Sequence, residues 1–282
     1  MRLFPVLASL SIVLSGAARA DCASDAEIAA FVGSFTAKTP AKALGAGGSM
    51  EDALCTAGKL RTALSAQLGP VVGYKAGLTS KPAQERFGVS EPVWGVLYRD
   101  MLLEDGAAVP AKFGTVPFFE ADLVLVVGSD AINSATTPEQ AMAAVSEIRP
   151  FIELPDLTLA QGEPITGETL TAMGVGPRLG VLGAPVAVGD PARMVQALGA
   201  MRVTVRAADG STLVEVPGAA VLGNPLNSVL WLLSKGVRFQ PGDLISVGSF
   251  GPLLPPGKAG GGATVTYAGL PGDPSVSVTF TD

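Results

Sequence analysis

At 282 residues, 48% hydrophobic and only 16% charged, the chain carries enough apolar material for a sizeable core and lacks the composition of a disordered segment. A net charge of -6 without basic clusters argues against a nucleic-acid partner. The sequence has no histidine and two cysteines, which excludes Ser-His-Asp and Cys-His catalysis, histidine acid-base chemistry, histidine metal ligation and a thiolate zinc cage. Chemistry must therefore come from carboxylates, lysine, tyrosine, hydroxyls, backbone groups or a metal held by oxygen.

The chain opens with Arg2, an uncharged apolar stretch from Leu3 to Leu14, and Ala18-Arg19-Ala20. This order reads as a secretory signal peptide over residues 1–20 with cleavage before Asp21, and it leads to the expectation of a periplasmic or secreted protein. The apolar stretch is too short to span a bilayer, and no later one is long enough, so no membrane association is expected after cleavage. Cleavage removes Arg2 and Arg19 but no acid, taking the net charge from -6 to -8. Asp21 stands where a lipoprotein signal carries a small residue before its cysteine, which argues against a lipid anchor at Cys22. In an oxidising compartment Cys22 and Cys55 are expected to form one disulfide, the alternative being two reduced thiols.

Residues 21–70 read as a small helical N-terminal region. Ser24 to Glu27 opens one helix with an acidic first turn, followed by Ile28, Phe31 and Val32 at helical spacing. Ser49-Met50-Glu51-Asp52 resembles a capping box opening a second, with Ala53, Leu54, Leu60, Leu64 and Leu68 as its apolar positions. From Val71 the pattern changes to short apolar runs broken by Gly, Pro and Asp, and residues 71–282 read as one larger domain. Strands are expected at 71–76, 93–97, 123–127, 151–154, 179–182, 202–207, 211–215, 244–246, 263–268 and 275–281. Helices are expected from Thr137-Pro138 to about Ile148, over 191–198 and over 227–233, and Ala208-Asp209-Gly210 reads as a hairpin turn. Many strands in irregular order with few helices give an α+β fold with a mixed sheet folded on itself, not a doubly wound array.

The acids of Phe118-Phe119-Glu120-Ala121-Asp122-Leu123-Val124 stand two residues apart in an otherwise apolar run. Period-2 geometry puts Glu120 and Asp122 on one strand face, where two buried like charges repel each other and a cation would remove the penalty. Glu153, in Pro150-Phe151-Ile152-Glu153-Leu154-Pro155, is the best third carboxylate. An oxygen-only donor set suits Mg²⁺ or Mn²⁺, with Ca²⁺ possible and zinc disfavoured. The competing reading makes Glu120 and Asp122 the exposed start of a strand and Glu153 a surface residue. Lys75, in Gly73-Tyr74-Lys75-Ala76-Gly77-Leu78-Thr79, can hold a substrate carboxylate or move a proton, or can simply extend to water. Gly223-Asn224-Pro225-Leu226-Asn227 can bind an anion at a helix start or merely cap it. Gly248-Ser249-Phe250-Gly251 looks like a loop of close backbone approach.

Taken in chain order these segments resemble the fumarylacetoacetate hydrolase superfamily, and within it the branch of 2-keto-4-pentenoate and 2-oxo-dienoate hydratases and 4-oxalocrotonate decarboxylases. The resemblance rests on Gly73 to Thr79, Phe87-Gly88-Val89-Ser90-Glu91-Pro92 with Trp94-Gly95, Glu120-Ala121-Asp122, Glu153, Leu222 to Asn227 with Trp231-Leu232, and Gly242-Asp243 through Gly248-Ser249. It implies a rolled mixed β-sheet sandwich, a homo-oligomer (dimer or larger), and a small 2-oxo carboxylic acid as substrate. It implies that Glu120, Asp122 and Glu153 hold Mg²⁺ or Mn²⁺, that Lys75 and Glu120 are catalytic, and that Lys75, Tyr74, Leu78, Asn224 and Ser249 line the substrate. The implied chemistry is metal-chelated enolate chemistry: hydration, or C–C hydrolysis or decarboxylation of an acylpyruvate-like acid. Two positions depart from the pattern. Val93 stands where these hydratases carry an acid after the Glu-Pro pair, and Met173-Gly174-Val175-Gly176 replaces a polar run. Those losses motivate the alternative of a non-catalytic 2-oxo-acid-binding protein.

Overall fold

The computed structural model describes residues 21–282; the expected signal peptide lies outside the described residues. Two helices come first, α1 (Asp25–Ala37) and α2 (Met50–Leu68). Both open with a reciprocal capping box, Ser24 with Glu27 and Ser49 with Asp52, which satisfies two of the otherwise unpaired N–H groups at each start. Cys22 and Cys55 stand as a pair with Cα atoms 5.4 Å apart, the spacing of a disulfide, where the start of the described chain meets α2. Ile28, Phe31 and Phe35 of α1 and Ala53, Leu60 and Leu64 of α2 are buried. Leu54, expected on the apolar face of α2, is instead 40% exposed.

The remaining elements follow as β1 (Val71–Gly77), α3 (Lys81–Arg86), β2 (Val93–Tyr98), β3 (Leu102–Glu104), β4 (Ala108–Pro110), β5 (Glu120–Val127), α4 (Pro138–Ala143), β6 (Val145–Leu154), α5 (Gly167–Ala172), β7 (Leu179–Leu182), β8 (Val186–Ala187), α6 (Pro191–Ala200), β9 (Arg202–Ala207), β10 (Thr212–Pro217), α7 (Leu226–Ser234), β11 (Leu244–Ser246), β12 (Gly262–Ala268) and β13 (Ser275–Thr281). They form two sheets. The larger runs β2-β1-β11-β5-β6-β7-β3, with β8 paired to β6, and the smaller runs β10-β9-β12-β13-β4. Both contain parallel and antiparallel pairs. The two ends of the larger path, β2 and β3, are separated in sequence only by a 3-10 turn over Arg99–Met101. So short a link brings the sheet's edges near each other and curls it on itself, which is the rolled mixed sheet expected.

Strand alternation gives the larger sheet two unlike faces. Leu123, Leu125, Ile152 and Ile245 pack with Val203, Val205, Val265 and Val276 of the smaller sheet in the main core. On the other face Val124, Phe151 and Leu182 form a small separate cluster. A third cluster joins α1 and α2 to Val96, Leu97 and Tyr98 of β2 and Leu170 of α5.

One element departs from the expected pattern in a way that matters. The helix expected to run to Ile148 stops at Ala143, and a ten-residue strand starts at Val145. Pairing decides this: Val145 to Glu153 lie antiparallel against Val127 to Glu120. The same pairing extends β5 back to Glu120, three residues before the expected start at Leu123.

Candidate functional site

Register brings the acids together. Glu120 pairs directly with Glu153 across β5 and β6, and Asp122 pairs with Phe151. Lys75 on β1 is in register with Ser246 on β11 and with Gly95 on β2. Pairing partners share a face, so Lys75, Ser246, Asp122, Glu120 and Glu153 all project to the same side of four neighbouring strands. Asp122 and Glu153 are no more than 1% exposed and Lys75 only 2%, so neither Glu153 nor Lys75 is a surface residue. Glu120, at the strand start, remains partly exposed.

Lys75 crosses the sheet to form a buried ion pair with Glu153, and its Nζ also donates to the carbonyl of Val175 at 2.9 Å. Asp122 is held by the hydroxyl of Ser246, by the backbone N–H of Gly248 at 3.0 Å and by its neighbour Leu123. Tyr267 of β12, reaching from the opposite sheet, donates its hydroxyl to the backbone of this strand pair at Asp122 and Phe151 and so fixes it from behind. One cation thus faces three carboxylates. Burial and then the Glu153 carboxylate push Glu120 up to about 8, with Asp122 adding to the rise while Lys75 and the nearby Ser249 oppose it. The same two causes push Asp122 up to about 7, against its donors Ser246, Leu123 and Gly248. The cluster carries more negative charge than its own surroundings neutralise.

That imbalance is the fit of the site to a divalent cation: an oxygen-only donor set whose members resist ionising together. The side chains are nevertheless engaged internally, Glu153 with Lys75 and Asp122 with β11. Among the described residues no group of three His, Cys, Asp or Glu is already arranged to hold a metal ion.

The other sequence candidates divide. Ser249 lies beside Glu120 and donates to the carbonyl of Gly251 at 2.8 Å. Leu78 ends the Lys75 strand in a left-handed backbone conformation (φ 54°), its carbonyl accepting from Gln84. Tyr74 does not join the acids. Alternation turns it to the opposite face from Lys75, where its ring packs 6.1 Å from Trp94 and 5.5 Å from Phe239. Asn224 does not either: its amide donates to the carbonyl of Val195 and accepts from the N–H of Leu226 just ahead of α7, whose N-cap is Pro225. Val93 is buried at the β1–β2 edge, opposite Gly77. Gly174, Val175 and Gly176 all have positive φ, and a Cβ at Gly95 would overlap the carbonyl of Gly174. The segment that replaces a polar run therefore sits tightly on β2 and offers Lys75 a backbone carbonyl. Sequence reasoning missed Ser246, Tyr267 and the Val175 carbonyl. Ser246 is the one with a signal, as the polar residue of the Leu244-Ile245-Ser246 strand.

A curled mixed sheet with one buried lysine facing an acidic oxygen cluster defines the class of protein. Residues 72–273 match the family described as fumarylacetoacetate (FAA) hydrolase C-terminal. The chain is 34% identical over 218 residues to a 2-keto-4-pentenoate hydratase of Burkholderia vietnamiensis, covering 75% of this chain and 79% of that protein. It is 30% identical over 191 residues to a 2-hydroxyhexa-2,4-dienoate hydratase of Comamonas testosteroni, covering 66% and 70%. Its fold is similar to that of 4-oxalocrotonate decarboxylase from Pseudomonas putida G7 complexed with magnesium and adipate, with a TM-score of 0.73 at 22% identity, covering 91% of this chain and 98% of that one. The chain belongs to the fumarylacetoacetate hydrolase family.

Proposed function

We propose that this protein is a divalent-metal-dependent lyase of the hydratase type, adding water to a small 2-hydroxy-dienoic or 2-oxo acid such as 2-keto-4-pentenoate. The observation that carries the reading is the buried cluster of Glu120, Asp122 and Glu153 facing Lys75. The hydratase relatives and the magnesium, calcium and manganese complexes of similar folds support it. A Mg²⁺ or Mn²⁺ ion bound by the three carboxylates would supply Lewis-acid polarisation of the substrate's 2-oxo group. Glu153 and Asp122 would be ligands because the sheet already fixes their backbones. Lys75 would attract the substrate carboxylate or carry a proton at the substrate's carbon chain, its ammonium held in place by Glu153 and the Val175 carbonyl. Ser249, beside Glu120, is placed to touch substrate at the open end. Burial on the sheet face excludes bulk water from all but Glu120, so the water that adds would enter past that residue.

The test is turnover of 2-hydroxypenta-2,4-dienoate with Mg²⁺ or Mn²⁺ added back after chelation. Metal-dependent loss of the dienoate absorbance, abolished in Glu120→Ala, supports the reading. No turnover with either metal defeats it.

A second reading has an observation of its own. Val93 and the Val175 turn leave no acid beside Lys75 other than the proposed ligands. That favours C–C hydrolysis or decarboxylation of an acylpyruvate-like acid, or binding without turnover. Product analysis separates these outcomes: a hydroxy-oxo acid from hydration, two smaller acids from hydrolysis, carbon dioxide from decarboxylation, and unchanged ligand from binding alone.

The Cys22–Cys55 pair supports an oxidising compartment, and with it the periplasmic or secreted location expected of a signal over residues 1–20. Fractionation of cells expressing the full chain tests the location. Sedimentation tests the homo-oligomer that the family resemblance implies.

A further inference from the structure

A cavity of about 310 Å³ lies between α2 and β2 and reaches Gly95 and Gly174; none of the three acids lines it. Its walls are apolar: Leu64 from α2, Trp94 and Val96 from β2, and the 40%-exposed Leu54. Trp94, Val96 and Tyr98 alternate with Gly95, the register partner of Lys75, so they project to the other face of β2 from the carboxylate cluster.

Three donors border this space without partners. Tyr98 is only 1% exposed, yet among the described residues its hydroxyl makes no hydrogen bond. No fully enclosed side-chain N or O atom among the described residues is left unbonded, so that hydroxyl must open onto the cavity it lines. The Arg61 guanidinium lines the same cavity, acts electrostatically on Tyr98, and forms no ion pair or side-chain hydrogen bond among the described residues. The indole N–H of Trp94 is unpartnered as well. Lys235 adds positive charge at the rim, although Glu91 neutralises it at 2.5 Å. Of the three, Tyr98 is buried, Trp94 is half-buried and Arg61 stands exposed at the mouth, and unlike the carboxylate cluster this space has no acid in its lining.

We propose that the α2–β2 cavity is a second ligand site, which takes a small monocarboxylic acid with a compact, planar apolar body. The carboxylate pairs with Arg61 and accepts from the Tyr98 hydroxyl, and the body stacks on Trp94 against Leu64 and Val96. The volume is at the low end of the ligand-pocket range of about 300–1,000 Å³, which limits the body to about one ring. Because the site is on the other side of β2, a ligand there does not compete with one at the acids.

Benzoate is the probe, with the mature protein in chelator so that the carboxylate cluster cannot hold it through a metal. Expected are a rise in melting temperature, a change in tryptophan fluorescence from Trp94, and saturable binding by calorimetry. Benzamide, which keeps the ring and loses the charge, should bind at least about tenfold more weakly. Arg61→Ala should weaken benzoate about tenfold or more, and Tyr98→Phe about threefold, with Arg61→Lys recovering part of the loss. The benzamide comparison needs no variant and so stands even if a substitution disturbs folding. Oxalate with Mg²⁺ should leave benzoate affinity unchanged. The proposal is overturned by absence of benzoate binding at about 10 mM, by benzamide binding as tightly as benzoate, by unaltered affinity in Arg61→Ala, or by competition from Mg²⁺-oxalate.

Discussion

Asp122 and Asp156 are both almost wholly buried, and they differ in what surrounds them. Asp156 follows β6 and accepts three backbone N–H groups, from Thr115 at 3.0 Å, Val116 at 2.7 Å and Thr158 at 3.2 Å. Arg178 lies within electrostatic reach, donates to the carbonyls of Phe113 and Phe35, and sits 4.2 Å over the Phe35 ring. That region is balanced: one acid, one cation and backbone partners for both, and the result is a joint between α1 and the sheets. Asp122 also has three donors, but it shares its strand face with Glu120 and Glu153, and the one nearby cation, Lys75, is taken by Glu153. A buried charge that the fold neutralises is a structural device. A buried charge left in excess points to a ligand that is not part of the chain.

The largest test of the contrast is activity. If the proposed metal carries several kcal/mol of transition-state stabilisation, Asp122→Asn or Glu153→Gln should lower turnover by about a thousandfold or more. Asp156→Asn should leave turnover per folded molecule nearly intact. Steady-state rates normalised to folded protein decide this, and a comparable loss in Asp156→Asn would erase the distinction between the two regions.

Stability should show the reverse ranking. Asp156→Asn removes a charged acceptor from three N–H groups and leaves Arg178 without its nearby anion, at a cost of about 3 kcal/mol. Asp122→Asn removes one of three repelling carboxylates and should be close to neutral in metal-free protein. Urea unfolding at neutral pH measures both, and equal destabilisation would mean that the acidic cluster is a structural network as well.

Much of this contrast was legible in the chain. Glu120 and Asp122 stood out because acids at period 2 inside a Val/Leu run conflict with burial, and Gly73 to Thr79 marked Lys75. Their convergence was not legible from periodicity. It depends on the pairing of Glu120 with Glu153, and the segment before Glu153 looked helical as far as Ile148 because Val145 and Ile148 also satisfy helical spacing. Tyr74 lies apart from the acids for a related reason: motif membership does not say which strand face a residue takes, and alternation puts it among aromatics. Asp156 carried no signal at all, because two of its three N–H partners belong to a loop forty residues earlier. Short elements such as α5 were missed although Thr166 and Thr169 form a capping box, because the threonine at the third position lacks the usual acid.

The pH dependence of stability gives a smaller effect with a definite sign. Asp122 is raised from 3.8 to about 7 and Glu120 from 4.5 to about 8 on folding. The native state therefore holds protons that the unfolded chain has released. This contribution is fully present below about pH 4 and is lost as pH rises towards 8, by about 1.4 kcal/mol per pH unit for each such proton. Denaturation midpoints of metal-free protein between pH 4.5 and 8.5 should fall across that window, and Mg²⁺ should flatten the fall by favouring the ionised carboxylates. A slope unaffected by Mg²⁺ would remove the reason for placing a cation here.

Ser246→Ala should have the smallest effect and sharpens the contrast most finely. The Ser246 hydroxyl stabilises the Asp122 anion, and it is one of the forces that limit the rise. Without it the folded carboxylate should hold its proton to still higher pH. At pH 5, where Asp122 is protonated in the native state, the substitution should matter little. At pH 8.5 the anion has lost a donor, and stability should drop by about 1 kcal/mol relative to the parent. Urea unfolding at the two pH values reads the difference directly. An equal loss at both would mean that Ser246 serves β11 packing and not the charge of Asp122, and the balance drawn between the two aspartates would then rest on Gly248 and Leu123 alone.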